Sequence, residues 1–174
     1  MAESYKEIMN HIDTLIFDVD GVLTDGKLFV SNDGDLLRQM NVKDGYALKT
    51  AIDKGFNVCI ISGGKNEGVR KRLENLGVKD IYLGIPHKTV VFNDYIKTNN
   101  IQPKNILYMG DDIPDYWVMK EAGLPTCPQD AAPEIKAICQ YISHKTGGNG
   151  AVRDVIEQVL KVQQKWMETF DATL

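Results

Sequence analysis

The sequence predicts an α/β fold: a three-layer, Rossmann-like parallel sheet with helices on both faces. Three observations predict it. Apolar runs of strand length recur along the chain, segments of helix length and helical spacing separate them, and glycines fall where those elements should stop. In order, TLIFDVD (14–20) is the first strand-like run. KLFVSNDGDLLRQM (27–40) breaks the alternation with two short strand-like pieces around Asn32-Asp33-Gly34, a strong hairpin signal. By itself that segment reads as a local hairpin at the sheet edge, or as a projecting hairpin with a further role. A helical pattern over 44–54 leads into the strand FNVCIIS (56–62), and a second over 65–76, stopped by Gly77, leads into DIYLG (80–84). A third helix over 87–99 precedes the strand NILYMGD (105–111), and a fourth over 113–122 stops at Gly123. Weaker strands are expected at 124–128 and 140–143, then a last helix from about Ala151 to Trp166 and a loose tail over 167–174.

One domain over 1–174 accounts for this pattern. A chain of 174 residues buries roughly 70% of its unfolded surface, enough for a core without staples. No linker, internal repeat or separate cap domain is visible. Lys and Arg number 20 against 24 Asp and Glu, and the net charge of −4 disfavours nucleic acid and anionic membrane surfaces as partners. No apolar run reaches membrane-spanning length, and MAESYKEIMNHID has no basic segment followed by an apolar one. The expected location is therefore the cytoplasm. Cys59, Cys127 and Cys139 lack metal-ligand spacing and read as reduced thiols.

The chemistry begins where the first strand ends. Asp18 and Asp20 lie two positions apart before Gly21, and in open α/β sheets ligands bind beyond the carboxyl ends of strands. One carboxylate can attack phosphorus, a second can give and take the proton, and oxygen-only ligation suits Mg2+. A pair of solvated loop acids is the bland alternative. Asp111, Asp112 and Asp115 follow another apolar strand. Acids massed at two strand mouths repel one another unless a cation sits between them. Asp112 or Asp115 could instead cap the helix beginning near Pro114. Ile61-Ser62-Gly63-Gly64 combines a hydroxyl, free backbone N–H groups and a helix start, an anion site or an ordinary turn. Lys88 opens a helix and could neutralise charge near the acids, although a lone lysine is usually a solvated surface group.

DVDG (18–21), ISGG (61–64), Lys88 and GDDIPD (110–115) resemble, in order, the four signature motifs of the haloacid dehalogenase-like phosphohydrolases. DVDGVLTDGKL (18–28), NVKDGYALK (41–49), GVRKRLENLGVKD (68–80) and GGNGAVRD (147–154) extend the resemblance to bacterial 3-deoxy-D-manno-octulosonate 8-phosphate (KDO 8-phosphate) phosphatases. The resemblance implies a Mg2+-dependent phosphomonoesterase of lipopolysaccharide precursor synthesis. Asp18 is then the nucleophile that forms an aspartyl-phosphate, and Asp20 the general acid/base. Ser62 binds the phosphoryl group, with the Gly63 and Gly64 backbone beside it, and Lys88 holds Asp18 and the phosphoryl charge. The implied metal set is Asp18, Asp20 through its backbone carbonyl, Asp111, and Asp112 through the metal's water shell. Asp115 completes the motif and supports the loop.

The intervals from Asp18 to Ser62 and from Ser62 to Lys88 are filled by elements already named, which leaves no room for a lid. An open site excludes water and selects a small sugar phosphate poorly. The resemblance implies that a homotetramer solves this, the hairpin and C-terminal segment of a neighbour reaching over each site. The hairpin at 27–40 and the glycine-rich segment at 147–154 are the pieces expected to do so, though the latter also reads as a flexible loop before the last helix. Arg70 and Arg72, on the helix after Ser62, are candidates for a sugar carboxylate or for a solvated face. Gly64 and Asn75 depart from the Glu and Lys of the nine-carbon sugar phosphatases and favour the eight-carbon substrate. A nine-carbon keto-acid phosphate, and a non-catalytic oligomerising module, are the alternatives.

Overall fold

The computed structural model describes residues 3–167. Its core is a six-stranded parallel sheet. In chain order the strands are β1 (Thr14–Phe17), the hairpin pair β2 (Phe29–Val30) and β3 (Leu36–Leu37), β4 (Asn57–Ser62), β5 (Asp80–Leu83), β6 (Ile106–Met109), β7 (Leu124–Cys127) and β8 (Tyr141–Ile142). The helices are α1 (Tyr5–Met9), α2 (Val42–Asp53), α3 (Glu67–Asn75), α4 (Lys88–Thr98), α5 (Tyr116–Glu121), α6 (Pro133–Ile138) and α7 (Ala151–Val162).

The spatial order of the main sheet is β5-β4-β1-β6-β7-β8. All of β1, β6 and β7 is buried, so they read as unbroken apolar runs rather than alternating ones. Side chains still alternate between the two layers. Leu15, Phe17, Ile60 and Met109 face α2, α3 and α7, where Leu48, Leu73 and Ile156 are buried. Ile16, Ile61 and Tyr108 face the other layer with Phe92 of α4, Met119 of α5 and Ile135 of α6.

This order positions the site. The chain runs outward from β1 through β4 to β5, then returns to the other side of β1 as β6. β1 therefore flanks the point where the connections reverse direction, the usual ligand crevice of such sheets. Phe17 is in register with Ile60 of β4 and Met109 of β6, so the three strand mouths lie side by side.

The elements follow the sequence closely, with small differences at their ends. Asn41 starts α2 early, its side-chain oxygen accepting from the Lys43 N–H at 2.8 Å. Pro114 turns the start of the fourth helix into a 3-10 turn, Ile113–Asp115, ahead of α5. The last helix ends at Val162 rather than near Trp166, and Gln164 turns left-handed just beyond it. Most of the tail, 168–174, lies outside the described residues. Two short helices were not anticipated. α1 has a capping box between Ser4 and Glu7, and α6 has a proline at its start.

The hairpin does not join the sheet edge. β2 and β3 pair with each other alone, after a turn in which Gly34 donates to the Ser31 carbonyl at 3.0 Å. All four of its strand residues are exposed, Phe29 at 72% and Val30 at 69%. The glycine-rich segment behaves otherwise. Gly147 donates to Asp130 and Gly148 to the Val22 carbonyl, while Asn41 donates to the Gly148 carbonyl. Gly147–Gly148 thus packs against this chain's own loop after β1. Its backbone hydrogen bonds are made inside the chain, so they hold it down. No helix among the described residues is long and apolar enough to cross a membrane.

Candidate active site

Asp18 is the first residue beyond β1. Its backbone N–H donates to the Met109 carbonyl at 3.1 Å, which fixes it to the mouth of β6. One carboxylate oxygen accepts from the Val19 N–H at 2.7 Å and the other lies 3.0 Å from the Lys88 ammonium. Asp18 is only 7% exposed. Lys88 is the first residue of α4, buried, and its second partner is Asp115 at 2.7 Å.

Asp115 is also buried. The same oxygen that meets Lys88 accepts from the Tyr108 hydroxyl at 3.0 Å, and the other accepts from the Asp111 N–H at 3.3 Å. It therefore ties the Asp111 loop to Lys88. Neither Asp112 nor Asp115 caps a helix with its side chain, which removes the capping alternative. Gly21 has φ of +87°, a conformation suited to glycine, and any Cβ there would collide with the Asp111 carboxylate. The glycine after the Asp18–Asp20 pair thus lets the two acidic loops touch.

Asp18, Asp111 and Asp115 each offer an oxygen within 4.8 Å of the others. Burial pushes the Asp18 carboxyl up to about 7, with the Asp115 charge adding to it and Lys88 opposing. Burial and the charges of Asp18, Asp115 and Asp112 push Asp111 up to about 8. Burial pulls the Lys88 ammonium down, but the Asp18 and Asp115 carboxylates outweigh it and hold it above the usual lysine value. One ammonium does not balance three crowded carboxylates. A hard divalent cation with oxygen ligands would, so the donor set fits Mg2+.

The other expected residues divide. Ser62 is buried at the end of β4, and its hydroxyl oxygen accepts from the Gly64 N–H at 3.3 Å. Gly63 is exposed beside it. Asp20 lies two residues past Asp18 with its carboxylate gripped by Arg38 of the hairpin, at 2.7 and 2.9 Å. Asp112 is exposed. Arg70 and Arg72 are not brought to the cluster. Arg70 donates to the Ile81 carbonyl of β5 at 3.2 Å, and Arg72 packs over Gly45 of α2. Arg38 and Tyr108 are the contributors that the sequence reading missed. A tyrosine in an otherwise aliphatic, fully buried strand was the available signal for Tyr108.

Residues 80–156 match the model of a family described as haloacid dehalogenase-like hydrolase. The 3-deoxy-D-manno-octulosonate 8-phosphate phosphatase KdsC of Salmonella typhi is 37% identical over 172 residues, covering 95% of this chain and 92% of that protein. The crystal structure of the Yersinia pestis 3-deoxy-D-manno-octulosonate 8-phosphate phosphatase superposes with a TM-score of 0.91 at 34% identity, covering 95% of this chain and 89% of that one. That of the Moraxella catarrhalis phosphatase, in complex with magnesium, phosphate and KDO, gives 0.88 at 33% identity, covering 91% of each chain. With relatives of that identity matched over nearly its whole length, the chain belongs to the haloacid dehalogenase-like hydrolases, in the family of 3-deoxy-D-manno-octulosonate 8-phosphate phosphatases.

Proposed function

We propose that this chain is a Mg2+-dependent phosphatase that hydrolyses KDO 8-phosphate to KDO and inorganic phosphate in lipopolysaccharide precursor synthesis. The observation that carries the reading is the Asp18 carboxylate, buried at the sheet's reversal point, aimed by Val19 and Lys88 and clustered with Asp111 and Asp115. The Moraxella catarrhalis relative, solved with magnesium, phosphate and KDO, supports the choice of metal and sugar.

The steps follow from the residues present. An Asp18 oxygen attacks phosphorus, the ester P–O bond breaks, and the departing sugar oxygen takes a proton from the Asp20 carboxyl. Water then attacks the aspartyl-phosphate, Asp20 takes its proton, and phosphate leaves from Asp18. Lys88 faces the charge that builds on the transferring group, and Ser62 with the Gly63 and Gly64 backbone receives its outer oxygens. Asp18, the Asp20 carbonyl and Asp111 would hold the metal, with Asp112 acting through its water. The bound Mg2+ supplies neutralisation of the carboxylates and of the phosphoryl oxygens.

A homotetramer, with a neighbour's hairpin closing each site, belongs to the same proposal. Its support is the projecting hairpin with exposed Phe29, Val30 and Leu37, and a site that no separate cap covers among the described residues. Phosphate release from KDO 8-phosphate, KDN 9-phosphate and a hexose phosphate, with and without Mg2+, tests the reading. KDO 8-phosphate should be turned over fastest and only with the metal. Asp18→Asn should lower that rate by on the order of 10³-fold or more. Full activity in a chelator, or preference for the nine-carbon sugar, would overturn it.

A further inference from the structure

Arg38 lies on the return side of the hairpin, 18 residues from Asp20 in sequence. Its Nε and Nη2 donate one bond to each Asp20 carboxylate oxygen, at 2.7 and 2.9 Å, the planar two-point grip that guanidinium makes and ammonium does not. The Arg38 side chain is 5% exposed, whereas exposed surface ion pairs hold their geometry poorly. The guanidinium is itself held. Its Nη1 donates to the Leu36 carbonyl at 3.0 Å. That carbonyl also accepts from Asn66 at 2.9 Å, and the Asn66 side-chain oxygen caps α3 through the Val69 N–H at 2.9 Å. A continuous set of hydrogen bonds therefore runs from the start of α3 through the hairpin to Asp20.

Gly64 makes the grip possible. A Cβ at position 64 would sit 2.8 Å from an Asp20 oxygen and 2.9 Å from Arg38 Nη2, inside the contact distance of both. A side chain at that position would push the Asp20 carboxylate or the Arg38 guanidinium out of the grip. Asp20 stands beside a left-handed glycine, in a loop rather than on a strand, so its own backbone does little to aim the carboxylate.

We infer that Arg38 is a positioning residue that aims the Asp20 carboxylate, and that the absence of a side chain at Gly64 admits it. The inference rests on the proposed role of Asp20 as the group that protonates the leaving oxygen. Proton transfer demands a donor within hydrogen-bond reach of that oxygen, and groups held on rigid elements meet such demands better than free loop side chains.

The test is steady-state kinetics of the full chain with Mg2+ on two substrates. KDO 8-phosphate leaves as an alkoxide that needs the proton, whereas p-nitrophenyl phosphate leaves as a phenolate that does not. Arg38→Ala should lower kcat on the sugar phosphate about tenfold or more, change KM by less than about twofold, and leave kcat on the aryl phosphate within about twofold. Gly64→Ala, whose backbone also faces the phosphoryl group, should lower the ratio of the sugar-phosphate kcat to the aryl-phosphate kcat in the same sense, since an effect on phosphoryl binding is shared by both substrates. Adding Arg38→Ala to it should lower that ratio little further. Arg38→Lys should recover part of the rate. An unchanged ratio of the two kcat values in variants that melt like the wild type, or an effect confined to KM, would overturn the inference. Should Arg38→Ala fail to fold, the ratio in Gly64→Ala decides by the same criterion. Failure to turn over KDO 8-phosphate counts against the substrate reading alone, because the ratio can then be read on any alkyl phosphate the enzyme accepts.

Discussion

Crowding of carboxylates around Lys88 sets the behaviour of individual residues. Asp18 and Asp111 are held up to about 7 and about 8, first by burial, then by the Asp115 charge at Asp18 and by the Asp18 and Asp115 charges at Asp111. In an unfolded chain both titrate near 4. Between those values the folded, metal-free protein binds protons that the unfolded chain has released, so its stability falls as pH rises through the window. Mg2+ competes for the deprotonated carboxylates, so its stabilising effect should grow as pH rises. Thermal melts should show Tm of the metal-free protein falling between about pH 5 and pH 8.5, and a larger Mg2+-induced rise at about pH 8 than at pH 6. Asp44 is also raised, chiefly by burial, and adds to the fall without depending on the metal. The Mg2+ arm therefore isolates the cluster, and an equal Mg2+ shift at both pH values would contradict the account.

Among the elements, α7 shows how one helix depends on another. Its N-cap is Gly150, which has no side chain to satisfy the first N–H groups. Asp44 of α2 supplies that function across the interface, accepting from the Arg153 N–H at 2.8 Å. The same helix buries Val152, Val155, Ile156, Val159 and Leu160, one apolar face at helical spacing. Asp44→Ala should cost about 1–2 kcal/mol, the usual loss for a removed cap, and lower the urea midpoint with an unchanged m-value. A change below about 0.3 kcal/mol would mean that packing alone sets the start of α7. Just before α7, Gly147–Gly148 make hydrogen bonds that reach the loop that carries Asp18 and Asp20.

For the whole molecule, the hairpin is the feature that a lone chain does not explain. Four short strand residues stand clear of the sheet, and an isolated two-stranded hairpin is at best marginally stable in water. A second copy of the chain would bury that apolar surface. Light scattering should therefore give a tetramer for the wild type, and Phe29→Ser with Leu37→Ser should yield smaller species with a raised KM. A catalytically competent monomer with unaltered sugar selectivity would remove the need for any neighbour.

The sequence by itself determined the type and order of every strand and of all helices but the short α1 and α6, and Asp18, Ser62, Lys88 and Asp111 as strand-end or helix-start residues. Each of these depends on local spacing: apolar runs of strand length, a period near 3.6, and acids directly after a strand. Only the tertiary structure decided which strand mouths are neighbours, because strand order follows from packing of faces far apart in the chain. β1 between β4 and β6 is what turns two acidic motifs into one cluster. The same holds for Asp115, which turns inward to Lys88 and Tyr108, and for Arg38, which reaches Asp20 from the hairpin. Arg70 and Arg72 show the converse. Residues two apart on a helix point about 200° away from each other, so one face of α3 could never present both. With Val69 and Leu73 buried in the core, α3 sends Arg70 to β5 and Arg72 to α2, a rotation fixed by apolar packing and not by the charge of the arginines.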